Sequence, residues 1–88
     1  MDLENKVAII TGARRGMGKS HALTLAQAGA KIVVADISLA DCEKVVEEIK
    51  KAKGEAIAVK CDVTKKEEVE KMVETAVKKW GRVDILVN

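Results

Sequence analysis

The chain contains no tyrosine, no phenylalanine and no proline. A mechanism that needs a tyrosine cannot run on these residues alone. No apolar stretch approaches the ~18–20 residues of a membrane span. The opening Met1-Asp2-Leu3-Glu4-Asn5-Lys6 is not the basic-then-apolar start of a secretory signal. The two cysteines, Cys42 and Cys61, have neither CxxC nor zinc-ligand spacing. They read as free packing residues of a cytoplasmic protein, and no metal site is expected. The net charge is only +2, with acids and bases interspersed, so neither a nucleic-acid footprint nor a membrane-surface patch is present.

What is there is a soluble balance: 48% hydrophobic and 34% charged residues in a chain of 88, enough for one small domain. Strand and helix patterns alternate. Val7–Ile10, Ile32–Ala35, Ala56–Val59 and Val83–Val87 are apolar runs. The first two are apolar without alternation, as a parallel sheet covered on both faces requires. Between them, a helix is expected from about Gly16 to Ala28, ending at Gly29. A second begins at the N-cap Ser38, with Asp41 favouring its positive end, and stops near Gly54. Its buried face is Cys42, Val45, Val46 and Ile49. For the third, Thr64 and Glu67 form a capping-box pattern. Val69, Met72, Val73, Ala76, Val77 and Trp80 then make a packing stripe that ends at Gly81. The lysines and glutamates that close and open these helices fit solvated helix ends. The expected architecture is α/β: a doubly wound, Rossmann-type parallel sheet in the order 3-2-1-4, with right-handed crossovers.

The segment Thr11-Gly12-Ala13-Arg14-Arg15-Gly16-Met17-Gly18 follows the first strand and opens the first helix. A helix N-terminus there points backbone N–H groups and a positive dipole end at an anion, and glycines allow close approach. The spacing is G-x-x-x-G-x-G, because Arg14 and Met17 stand where the G-x-G-x-x-G pattern has its second and third glycines. Gly18-Lys19-Ser20 supplies the ending of a Walker A loop, but Ala13 stands where that loop wants its first glycine. A triphosphate binder is therefore a rival reading. Asp36, at the tip of the second strand, favours a dinucleotide, because its carboxylate can accept from an adenosine ribose. It would repel a 2′-phosphate, which favours NAD over NADP. Arg15 is the counterweight, since a guanidinium could reach a phosphate.

Thr11-Gly12-x-x-x-Gly16-x-Gly18, with Asp36, Asp62-Val63 and the closing Val87-Asn88, resembles the short-chain dehydrogenase/reductase family in order across the whole chain. The resemblance implies an NAD(P)-dependent oxidoreductase that transfers hydride between nicotinamide and a carbonyl or alcohol. Gly12, Gly16 and Gly18, with Thr11, Arg15 and Met17, would cradle the pyrophosphate. Asp36 and Ile37 would hold the ribose, and Asp62 and Val63 the adenine. Asn88 matches the first residue of a segment that steadies the central strand. The family's catalytic tyrosine, lysine and serine lie beyond these positions, so no residue here is assigned a catalytic role. Residues 1–88 then read as a cofactor-binding half-domain, inactive alone, cut before the catalytic segment. The whole protein would act on a small molecule and form a homo-dimer or tetramer. A non-catalytic nucleotide-binding module has the same residues and remains an alternative.

Overall fold

The computed structural model describes residues 2–13 and 16–88. The elements are β1 (Val7–Thr11), α1 (Gly16–Gln27), β2 (Lys31–Asp36), α2 (Leu39–Lys51), β3 (Ala56–Lys60), α3 (Lys66–Trp80) and β4 (Ile85–Val87). All strand pairs are parallel, in the order β3-β2-β1-β4 expected from the sequence. Among the described residues no helix is long and apolar enough to cross a membrane.

The unbroken apolar runs follow from burial on both faces of the central strands. Ala8, Ile10, Ile32 and Val34 pack with Ala22 of α1 and with Cys42, Val45, Val46 and Ile49 of α2. Val7, Ile9, Val33 and Ala35 face the other way, onto Met72 and Ala76 of α3 and onto Cys61. Both cysteines are buried and in no disulfide, one in each layer. The stripe on α3 packs as expected except at Val77, which is 44% exposed. Trp80 ends the stripe, partly buried, and its indole N–H donates to Glu55 at 3.1 Å.

Two local expectations are corrected. The N-cap of α3 is Lys65, which makes no side-chain cap bond. Thr64 lies one residue before that cap, and its side chain is turned back onto Asp62: its N–H and its hydroxyl both donate to Asp62 Oδ1, at 2.9 and 2.6 Å. The acid that reaches back is Glu68 rather than Glu67, and it accepts from the Asp62 N–H at 3.0 Å.

The fourth strand begins at Ile85, not Val83. Asp84 explains the difference. Its Oδ2 accepts the Val7 N–H at 2.9 Å, in place of a backbone carbonyl, while its own N–H donates to the Val7 carbonyl at 2.9 Å. Arg82 donates to both carboxylate oxygens, at 2.9 and 2.8 Å. The Arg82 hydrogen bonds and the Val7 N–H hold the Asp84 carboxyl below its usual range.

The second helix ends near Gly54, as expected, and the left-handed residue that closes it is Lys53, at φ 68°. The Gly54 N–H donates to the Ile49 carbonyl and the Lys53 N–H to the Lys50 carbonyl, both at 2.9 Å. That pair of bonds is a Schellman closure with lysine in the position glycine usually takes. Glycine is needed at 54 for space, since a Cβ there would stand 2.7 Å from Ile49 Cγ2. Lys53→Gly is therefore expected to stabilise the protein by about 1 kcal/mol, through relief of left-handed strain. The midpoint of urea unfolding checks this; no rise would show that the turn relaxes without cost.

Candidate nucleotide-binding site

Because the four strands are parallel, their carboxyl ends share one edge of the sheet. Gly12 follows β1, Asp36 closes β2, Asp62 lies two residues past β3, and Asn88 follows β4. Sequence-predicted site residues from the whole chain thus meet along one edge. Arg15 lies outside the described residues.

The glycine turn divides its work among three residues. Gly12 and Gly16 both have φ 63°, a conformation L side chains rarely adopt, and among the described residues a Cβ on either would meet nothing within 4 Å. The space over them is open to a ligand. Gly18 differs: a Cβ there would stand 2.3 Å from the Gly12 carbonyl oxygen and 3.1 Å from Ala13 Cα. Its role is close approach of α1 to the end of β1. The Ala13 N–H donates to the Ala35 carbonyl at 3.3 Å, which ties the turn to β2. The first turn of α1 carries no acidic residue, so nothing there opposes an anion at its amino end.

Lys19, the lysine of the Walker-like ending, is turned away to α2. Its Nζ lies 2.9 Å from Glu48 Oε2. A triphosphate loop requires that ammonium on the phosphates.

Thr11 is buried, and its hydroxyl is directed at β4, 3.0 Å from Asn88 Oδ1 and 3.2 Å from the Val87 carbonyl. One hydroxyl proton serves both acceptors, joining the ends of β1 and β4. The side chain of Thr11 is thus engaged with Asn88, and its backbone is what faces the turn.

Asp36 is half-buried, and its Oδ1 accepts the Ile37 N–H at 2.7 Å. Asp62 is held more completely. Beyond the Thr64 bonds, its carbonyl accepts the Lys65 N–H at 3.0 Å. The Thr64 hydroxyl and N–H keep its carboxyl below the usual carboxylate range. Burial raises the pKa of the neighbouring Cys61 thiol, with help from Glu68 and Asp62. Met17, Ile37 and Val63 are 76%, 57% and 53% exposed on the segments that follow β1, β2 and β3. Large apolar side chains so placed are available to a ligand with apolar faces.

A groove of about 480 Å³ opens between the ends of β1 and β4 and α3. Thr11, Gly12, Val63 and Asn88 line it, with Met72 and Leu86. A cleft of similar size, about 540 Å³, lies at the opposite edge, around Glu4, Gly29, Lys31 and Lys53. It is bounded by the turns that close α1 and α2, and no glycine turn opens a helix toward it. The features of an anion-binding turn therefore lie at the carboxyl edge. Glu68 is the site-side residue that sequence reading missed, since its bond to Asp62 spans six positions and carries no motif.

A parallel sheet with a glycine turn opening a helix on its central strand, and an acid at the tip of the next, defines a Rossmann-type nucleotide-binding protein. The model of the short chain dehydrogenase family matches residues 6–88, and the chain belongs to that family. It is 50% identical over 86 residues to an uncharacterized oxidoreductase of Listeria monocytogenes, covering 98% of this chain and 35% of that protein. The crystal structure of a hydroxysteroid dehydrogenase from Escherichia coli superposes with a TM-score of 0.95 at 48% identity, over 98% of this chain and 37% of that one. A 7α-hydroxysteroid dehydrogenase complexed with NADH and 7-oxo glycochenodeoxycholic acid gives 0.94 at 48% identity, over 98% and 34%. The chain spans about a third of the length of these relatives.

Proposed function

We propose that the chain supplies the cofactor-binding half of a cytoplasmic NAD-dependent oxidoreductase, oligomeric in its complete form, that interconverts an alcohol and a carbonyl on a small molecule. The observation that carries this reading is the placement of the glycine turn, Asp36, Asp62 and Asn88 on one edge of the sheet. The residues present fit a dinucleotide. Side chains at Gly12 and Gly16 would fill the space a pyrophosphate needs, and none is there. The backbone of Thr11, Gly12, Gly16, Met17 and Gly18 would hold the pyrophosphate at the amino end of α1, with Arg15 beside it. Asp36 and the Ile37 loop would accept from the adenosine ribose. Asp62 and Val63 would meet the adenine, and Asn88, braced by Thr11, would steady the strand end next to the cofactor. When bound, the nicotinamide supplies or accepts the hydride. These 88 residues orient it and include no tyrosine to move the accompanying proton.

Binding of NADH, followed by its fluorescence, tests the reading. Saturable binding in about the 1 μM–1 mM range is expected. NADPH should bind at least ~10-fold more weakly, because Asp36 repels its 2′-phosphate. Tight binding of Mg-ATP with no binding of NADH would instead establish the triphosphate reading.

A further inference from the structure

We infer that Glu68 is a positioning residue for the base of the cofactor, acting through the loop that follows β3. The inference rests on the NAD reading above. Asp62 is unusually constrained for a loop residue. Its N–H donates to Glu68 Oε1 at 3.0 Å, its carbonyl accepts from the Lys65 N–H at 3.0 Å, and its Oδ1 accepts twice from Thr64. Backbone and side-chain torsions are both pinned. Two groups remain without partners among the described residues: Asp62 Oδ2 and the N–H of the next residue, Val63. One is an acceptor and the other a donor, adjacent in the chain, on a loop whose apolar Val63 side chain is 53% exposed.

That pairing has a chemical complement. A 6-aminopurine presents an amino donor beside a ring-nitrogen acceptor. A 6-oxopurine presents the reverse, a carbonyl acceptor beside an N–H donor. The loop therefore favours adenine over hypoxanthine, provided its two free groups are held in register.

Glu68 is what holds the amino end of that loop. It is the third residue of α3 and only partly exposed, so it reaches back from a rigid helix. Its second oxygen is itself secured, 3.8 Å from Lys65 Nζ. Glu67 and Glu70, its acidic neighbours on the helix, are exposed and make no bond to the loop. Without the Glu68 carboxylate, the Asp62 N–H loses its acceptor and the loop can rotate. The base-reading pair would then be spoiled, while the glycine turn and Asp36 keep their geometry.

The test uses protein expressed from its complete natural reading frame, titrated with NADH and with reduced nicotinamide hypoxanthine dinucleotide. The wild type is expected to prefer NADH by about tenfold. Glu68→Ala should weaken NADH about tenfold, leave the hypoxanthine analogue nearly unchanged, and so abolish the preference. Glu68→Gln should restore it, because the amide oxygen still accepts from Asp62. Glu68→Met, which keeps the helix and the side-chain length but has no acceptor oxygen, should behave as alanine does and guards against a folding failure. NADH binding with an unchanged preference in both Glu68→Ala and Glu68→Met would overturn the inference, even if both affinities fell together. Failure of the wild type to bind NADH would remove the NAD reading, and this inference with it.

Discussion

Alanine at position 18 is expected to unfold or severely destabilise the protein, while alanine at position 12 or 16 leaves it folded but unable to hold the cofactor. The three glycines share a motif and not a function. A Cβ at Gly18 would stand 2.3 Å from the Gly12 carbonyl oxygen and 2.9 Å from its carbon. Both are backbone atoms, so neither can rotate aside, and α1 would have to move off β1. Overpacking against rigid backbone costs about 3 kcal/mol. That is a large fraction of the roughly 5–13 kcal/mol that stabilises a domain of this size. At Gly12 and Gly16 nothing would be struck, and only the left-handed conformation at φ 63° is penalised, by about 1–2 kcal/mol. The new methyl would instead stand in the open space assigned to the pyrophosphate. Urea unfolding and NADH titration on the three variants separate the two effects. Gly18→Ala should fail both measurements, and Gly12→Ala and Gly16→Ala chiefly the second. A Gly18→Ala protein as stable as the wild type would mean that α1 does not approach β1 as closely as the structure places it.

That division of labour marks where sequence reading stops. The spacing of Gly12, Gly16 and Gly18 located the turn, but it could not tell a glycine required by φ from one required by proximity. The strand order was legible because β1 and β2 are apolar on both faces and their helices carry clear stripes. The strand tips were legible too, since parallel strands put their carboxyl ends together. The errors share a cause: a side chain took a role that periodicity assigns to backbone, or the reverse. Asp84 accepts the Val7 N–H that a ladder carbonyl would have taken, so β4 starts two residues later than its apolar run. Thr64 has its side chain turned back onto Asp62 and the helix starts one residue later than the pattern places it, with Lys65 as N-cap, so the capping box does not form. The end of α2 near Gly54 was legible, but not that Lys53 takes the left-handed turn while Gly54 is needed for space beside Ile49. Each outcome depends on competition between two acceptors or two positions, which a linear pattern does not rank. Glu68 is the same kind of case, with consequences at the site.

Asp36→Ser is expected to narrow or reverse the preference for NADH over NADPH. The carboxylate sits at the end of β2, one strand over from the glycine turn, and its Oδ1 is oriented by the Ile37 N–H at 2.7 Å. A 2′-phosphate at that place brings up to about two negative charges against it at pH 7. Each pair of unit charges at 4 Å costs about 1 kcal/mol in water and about 4 at the dielectric of a protein surface. With two such pairs, removing the carboxylate should therefore strengthen NADPH binding by about 30-fold or more. NADH loses its ribose acceptor in the same variant and should weaken about tenfold. Arg15 enters as the opposing charge. If its guanidinium grips the 2′-phosphate once Asp36 is gone, Asp36→Ser combined with Arg15→Ala should lose much of the NADPH gain while changing NADH little. Relief of repulsion alone predicts that the gain survives the second substitution. A wild type that binds NADPH as tightly as NADH would show that Asp36 does not face the ribose. The carboxylate would then be only the entry to α2, beside the N-cap Ser38.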